Sequence, residues 1–176
     1  MPTLSFILNL LGLGAIVLAS LIKGEKMKRI LVLLFVGNAL VGVSYLFADN
    51  GINGGASCLL ATVQIVINYA FQSKGKPIPK WLIALYAAGF IALNLWLGGL
   101  GLATFVAIAA CMTFVASILQ SGGRGYRLCS LANAVTWGAY DIITHSYNGL
   151  ITHGTLLVIT VIGIVIHDLK RTLKEG

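Results

Sequence analysis

Asn133, Trp137 and Asp141 recur every four residues, a spacing that puts an amide, an indole and a carboxylate on one face of a helix. They lie in a hydrophobic segment long enough to span a bilayer. Polar groups at membrane depth are costly, so they face protein or a water-filled cavity. An indole wall beside hydrogen-bonding groups suits a flat or ring-shaped polar solute. The alternative is packing: polar side chains also tie membrane helices together, at about 0.6 kcal/mol each. Tyr140 adjoins the stripe, which runs on to Asn148-Gly149 and His153-Gly154. A fainter copy runs from Asn38 through Gly42 and Tyr45 to Asp49-Asn50-Gly51.

Asp141 is the one acidic residue inside a predicted helix away from the basic clusters. A carboxylate at the bilayer centre costs about 2.5–3.5 kcal/mol on insertion scales, and less toward the interface. Counting about 1.5 Å per residue from Arg127 places it in the outer third of its helix. There it is either a cap bonded to Tyr or water, or a functional carboxylate. In the second reading Asp141, His145 and His153 are candidates for proton coupling, since His titrates near neutral pH. Gln64 and Asn68, also four apart, are expected to face inward on the third segment. The candidate solute-binding set is therefore Asn38, Asn133, Trp137, Asp141, Tyr45, Tyr140, Gln64 and Asn68.

Other chemistries find little support. A metal site wants three or four ligands at defined spacing, and the Asp141, His145 and His153 set falls short of that. No metal and no cofactor are expected. Gly51-Ile52-Asn53-Gly54-Gly55 lacks the Lys-Ser/Thr that completes a phosphate loop. The chain has no acidic pair at helical spacing, no His-Glu-x-x-His and no Gly-x-Ser-x-Gly, so no catalytic residue is assigned and an enzyme is not expected. Cys58, Cys111 and Cys129 fall in three different segments and read as small buried thiols, with no disulfide implied.

The elements that must position these residues follow from composition. The chain of 176 residues is 58% hydrophobic and 10% charged. Ordinary soluble domains are roughly a quarter charged, so this is an integral membrane protein. Met1-Pro2-Thr3-Leu4 places no basic residue before the first apolar run, so the first segment is expected to remain as a membrane helix. Seven spans follow: about Thr3 to Ile22, Arg29 to Ala48, Asn53 to Gln72, Lys80 to Leu97, a fifth reaching Gln120, Tyr126 to His145 and Asn148 to His167. Trp81 and Trp96 stand near the two ends of the fourth as interfacial anchors. Between the fourth and fifth only Gly98-Gly99 interrupts the apolar run, which makes this the weakest division.

The net charge of +7 is a topology signal and does not point to nucleic acid. Every Lys and Arg falls in one of four clusters, Lys23 to Arg29, Lys74 to Lys80, Arg124 to Arg127 and Lys170 to Lys174. Basic residues in alternate loops are what the positive-inside rule produces, giving an amino terminus outside and a carboxyl terminus in the cytosol. The chain also repeats weakly. Leu18-Ala19-Ser20 resembles Val115-Ala116-Ser117, Asn38-Ala39 matches Asn133-Ala134, Tyr45 matches Tyr140 and Thr62-Val63 matches Thr160-Val161. This pairs the first three spans with the last three. An odd helix between them gives both triplets the same orientation, with substrate expected at their interface. The expected division is 1–72 for the first repeat, 73–98 for a linker helix, 99–170 for the second repeat and 171–176 for a cytosolic tail.

Arg127, Trp137, Asp141, Ser146, Gly149 and Gly154 together resemble the carboxyl-terminal pattern of the YgjV-type bacterial inner-membrane proteins. In that pattern a Trp is followed four residues later by Asn, where this chain has Asp141, then by a Gly/Ser turn and a Gly-containing helix. The match covers the last third well and Arg29 to Ser57 loosely. It implies a multi-pass protein of the bacterial inner membrane and carries no activity with it. The three-plus-one-plus-three layout is similar to SWEET/SemiSWEET facilitators and PnuC-type transporters. Yet Pro2, Pro77 and Pro79 all lie outside helix interiors, and Trp137 alone is placed like the tryptophans of a PnuC site. Substrate class therefore does not transfer. The expectation is an all-α membrane protein that passes a small polar solute between two repeats. The rival is a non-transporting scaffold whose polar stripe is packing. Partners are the lipid bilayer and the solute, and a homo-oligomer is left open.

Overall fold

The computed structural model describes residues 2–22, 27–46, 52–145 and 147–169. Lys23 to Lys26, Asp49 to Gly51, Ser146 and Lys170 to Lys174 fall outside the described residues, as do the side chains of Tyr45 and Asn148. Among the described residues there are seven helices and no strand: α1 (Pro2–Leu21), α2 (Met27–Leu46), α3 (Ile52–Ser73), α4 (Lys80–Gly98), α5 (Leu102–Ile118), α6 (Gly123–Ile143) and α7 (Tyr147–Ile164). A wider π-type turn, Val165–Leu169, continues α7. The spans expected from hydropathy therefore correspond one to one with helices. Five of them, α1, α2, α3, α4 and α7, are long and apolar enough to cross a membrane. α5 is apolar but has 17 residues, about 25 Å of rise. α6 is the polar helix of the set, holding Arg124, Arg127, Asn133, Trp137 and Asp141.

The division between α4 and α5 is made by backbone conformation. Gly99 takes φ +66° and donates its N–H to Leu95 O at 3.0 Å, closing the last turn of α4. That left-handed geometry is strained for any residue with a Cβ, so a glycine stops a helix that apolarity alone would continue. Gly101 then precedes α5 in extended backbone.

The helices pack as a closed ring. α2 lies between α1 and α3, α6 lies between α5 and α7, α4 bridges α3 to α5, and α1 meets α7. α1 and α2 approach closely at Gly12 and Gly37: a Cβ on Gly12 would stand 2.8 Å from Gly37 O, and one on Gly37 would stand 3.0 Å from Gly12 O. Among the described residues, two apolar clusters fill the interior. Ala19, Ile30, Leu31, Leu34, Ile65 and Ile118 belong to one, and Ala61, Leu82, Tyr86, Phe90, Cys111 and Val115 to the other. Outside, Phe6, Leu10, Val63, Leu85 and Ile151 are exposed, as a lipid-facing surface requires.

One end of the ring is tied by charge. Arg127 near the start of α6 is 2% exposed and grips Asp168 with two parallel bonds, Nε to Oδ2 at 2.9 Å and Nη2 to Oδ1 at 2.6 Å. Its Nη1 also donates to Ile22 O at 3.2 Å, and His167 Nε2 lies 2.9 Å from Leu21 O. The end of α1, the start of α6 and the end of α7 thus meet. Arg127, read from the sequence as one of a basic cluster that sets topology, is a buried ion paired with Asp168. A second cationic residue three positions inside Arg124 was the available signal, because a helix turn of that length carries it into the bundle.

Candidate solute cavity

A cavity of about 130 Å³ lies inside the ring, and every one of the seven helices contributes to its wall. It extends from Asn9, Trp137 and His153 to Ser20, Tyr126 and Thr160 near the charge-tied end. Among the described residues, its lining holds no Lys, Arg, Asp or Glu. The polar groups there are amides, hydroxyls, two thiols and one imidazole, set among Phe90, Phe114 and Trp137.

Of the candidate solute-binding and proton-coupling residues, four border this cavity: Asn38, Asn133, Trp137 and His153. The two asparagines differ in what their amides do. Asn133 Nδ2 donates across to α5, to Ala110 O at 2.6 Å and Thr113 Oγ1 at 3.1 Å. Asn38 Nδ2 instead donates to Leu34 O of its own helix at 2.9 Å, an i−4 bond that ties no second helix. The indole of Trp137 stacks on the imidazole of His153, with centroids 5.8 Å apart and planes 11° apart. Tyr140 meets the same indole edge-on at 5.3 Å and 84°. This arrangement gives the cavity a flat aromatic wall whose tilt is held from two sides.

Asp141 supports that wall from behind. It is 4% exposed, and its Oδ2 lies 2.5 Å from His153 Nδ1, where an Nδ1–H donates to the carboxylate. A Cβ on Gly149 would stand 2.3 Å from Asp141 Oδ1, so α7 reaches the carboxylate because residue 149 has no side chain. His145, one turn on from Asp141 in sequence, does not join them. α6 ends at Ile143, and His145 turns away with φ +55° and is exposed. The carboxylate is thereby matched to a histidine on the neighbouring helix.

Gln64 and Asn68 are fully buried but do not border the cavity; Asn68 Oδ1 accepts from Tyr86 Oη–H at 3.3 Å. Tyr45 is placed on α2 by its backbone alone. Sequence reasoning passed over much of the hydroxyl lining, including Ser57, Ser130 and Thr152. Serine and threonine are quiet in an apolar helix because they bond their own backbone, as Ser20 Oγ does to Ile16 O at 3.3 Å and Ser117 Oγ to Phe114 O at 2.7 Å. The signal for Ser20 and Ser117 was their place in the repeated Ala-Ser pair. Cys58 and Cys111, from different helices, both border the cavity as free thiols.

Neither a curated relative nor a solved structure matches the chain. The family model Imp-YgjV, described as bacterial inner membrane protein, matches residues 6–171, and the chain belongs to that family, a multi-pass protein of the bacterial inner membrane.

Proposed function

We propose that the protein is a transporter or facilitator of a small polar solute, not an enzyme, and that the solute passes through the cavity within the ring. One observation carries this reading: a cavity of about 130 Å³ with amide, hydroxyl and aromatic lining, inside a protein whose outer surface is apolar. An apolar cavity of about 150 Å³ admits benzene, so the size suits a solute with a six-membered ring or a short polyol. A lining with no Lys, Arg, Asp or Glu among the described residues supports passive facilitation of a neutral solute. The Trp137–His153 stack supplies a face for a ring, and Asn38 supplies hydrogen bonds.

We read α1–α3 and α5–α7 as parallel repeats joined by α4, with the bounds given by the sequence. Two correspondences support this. Ser20 pairs with Ser117 and Asn38 with Asn133 in the repeat, and all four border the cavity. In each triplet the middle helix touches both others. Solute at a repeat interface is the arrangement common to such transporters. The basic junctions suit a cytosolic location for the charge-tied end, with the amino terminus outside.

The scaffold reading keeps one specific support, the amide of Asn133 spent on α5. Asn38 separates the two. Purified full-length protein in liposomes, followed by light scattering after osmotic steps of glycerol, xylitol and urea, should pass at least one of these faster than protein-free vesicles. Asn38→Leu should slow that flux about tenfold with unchanged membrane abundance and melting midpoint. Trp137→Ala should abolish it. A parallel fall of flux, abundance and midpoint in Asn38→Leu would favour the scaffold.

A further inference from the structure

Gln64 and Asn68 are not accounted for by the cavity or by packing. Ser57 and Ala61 border the cavity, and Gln64 and Asn68 follow on the same stripe of α3, about 4.5 and 10.5 Å beyond Ala61 at 1.5 Å per residue. Both side chains are 0% exposed. Among the described residues, Gln64 Nε2 and Oε1 have no hydrogen-bond partner, and neither has Asn68 Nδ2. The bond that does form there links Tyr86 of α4 to Asn68 Oδ1. Tyr86 stands one turn from Phe90, which borders the cavity.

Buried polar groups are nearly always satisfied, and an orphan is most costly where no water surrounds the protein to relax into. The neighbourhood is apolar, with Ile65 and Leu82 buried nearby on α3 and α4, so a methionine or leucine would pack there without that penalty. The unpaired atoms are two amide N–H₂ groups and one carbonyl oxygen. That set matches a neutral group able to accept and donate at once, a hydroxyl or an amide. A metal cation would meet the N–H₂ groups, and an anion would leave the carbonyl unserved.

We propose that Gln64, Asn68 and Tyr86 form an inner solute subsite between α3 and α4, the next station along α3 from the cavity. It rests on the transport reading and extends it: the solute carries hydroxyl or amide groups, and these exchange the walls of the cavity for the two amides when the path extends toward the charge-tied end. In this structure the subsite is covered.

The test uses the full chain with Gln64→Met, which keeps length and removes both unpaired atoms, and Asn68→Leu as a second variant. In detergent, Gln64→Met should raise the thermal midpoint by roughly 2–8 °C, since it relieves an unpaired amide. In liposomes, both variants should slow flux of whichever of glycerol, xylitol or urea the parent passes, by about tenfold. A midpoint that stays level or falls in Gln64→Met would mean the amide has a structural partner, and the subsite is then wrong. A raised midpoint with unchanged flux would equally overturn it. If the parent passes none of the three probes, the transport reading fails first, and the midpoint shift reports separately on the unpaired amide.

Discussion

Asp141 is gripped on two sides, by the His153 ring that donates to it and by the bare backbone of Gly149 pressed against its other oxygen. A buried carboxylate survives only when its lone pairs are used, and here the partner also stacks on Trp137. The cavity wall is thus set by a chain of contacts from Gly149 through Asp141 and His153 to the indole. Gly149→Ala should push the carboxylate off His153 and cost about 1–3 kcal/mol. In an Asp141→Ala background the same change should cost almost nothing, because the clash is gone. Thermal unfolding of the four proteins of this cycle measures it, and simple additivity would refute the contact. The contrast between Asn38 and Asn133 belongs to the same scale. Both amides border the cavity, from α2 and α6, yet Asn133 is committed to a neighbouring helix and Asn38 to its own.

The helices differ in how close they come to one another, and small residues set that closeness. α1 and α2 meet at Gly12 and Gly37, where a Cβ on Gly37 would lie 2.5 Å from Ile16 Cγ1 and one on Gly12 would lie 2.7 Å from Val41 Cγ2. Without a hydrophobic drive inside lipid, such close backbone approach supplies much of the association. Gly37→Val should therefore lower stability by about 1–3 kcal/mol and reduce the folded yield in membranes. Gly138, on α6, has nothing among the described residues within 4 Å of its would-be Cβ. Gly138→Ala should be neutral or stabilise by up to about 1 kcal/mol, since alanine is the better helix former. Equal losses in both variants, read by fluorescence-detected size exclusion after heating, would contradict this account. α6 itself is explained by its place. It fails a simple hydropathy test because it presents Asn133 and Trp137 to the cavity, Asp141 to α7 and Arg127 to Asp168.

At the scale of the whole molecule, the end of α1, the start of α6 and the end of α7 meet at one end of the ring. Ser5 Oγ donates to Ser44 O at 2.9 Å at the opposite end, which fixes α1 and α2 as antiparallel. On the proposed orientation the charge-tied end, near the basic residues of the sequence clusters, faces the cytosol. Lys76→Cys should then resist an impermeant thiol reagent added to intact cells, while Leu100→Cys, in the exposed α4–α5 turn, should react. The parent, with Cys58, Cys111 and Cys129, supplies the background. Labelling at position 76 from outside would invert the orientation.

Seven helices, a membrane setting and the family were legible in the sequence, because a bilayer writes its thickness and its charge asymmetry into runs of neighbouring residues. The stripe of Asn133, Trp137 and Asp141 was legible for the same reason, since four-residue spacing is local. What faces the stripe was not. Asp141 chose His153 over His145 because α6 ends at Ile143, a boundary finer than hydropathy resolves. Arg127 and Asp168 lie 41 residues apart, and His167 meets Leu21 across 146. Which amides would be satisfied, as Asn133 is, and which would be buried without a partner among the described residues, as Gln64 is, depends on how each helix is rotated against its neighbours. That rotation is decided by side chains distant in sequence, and tertiary structure alone brings them together.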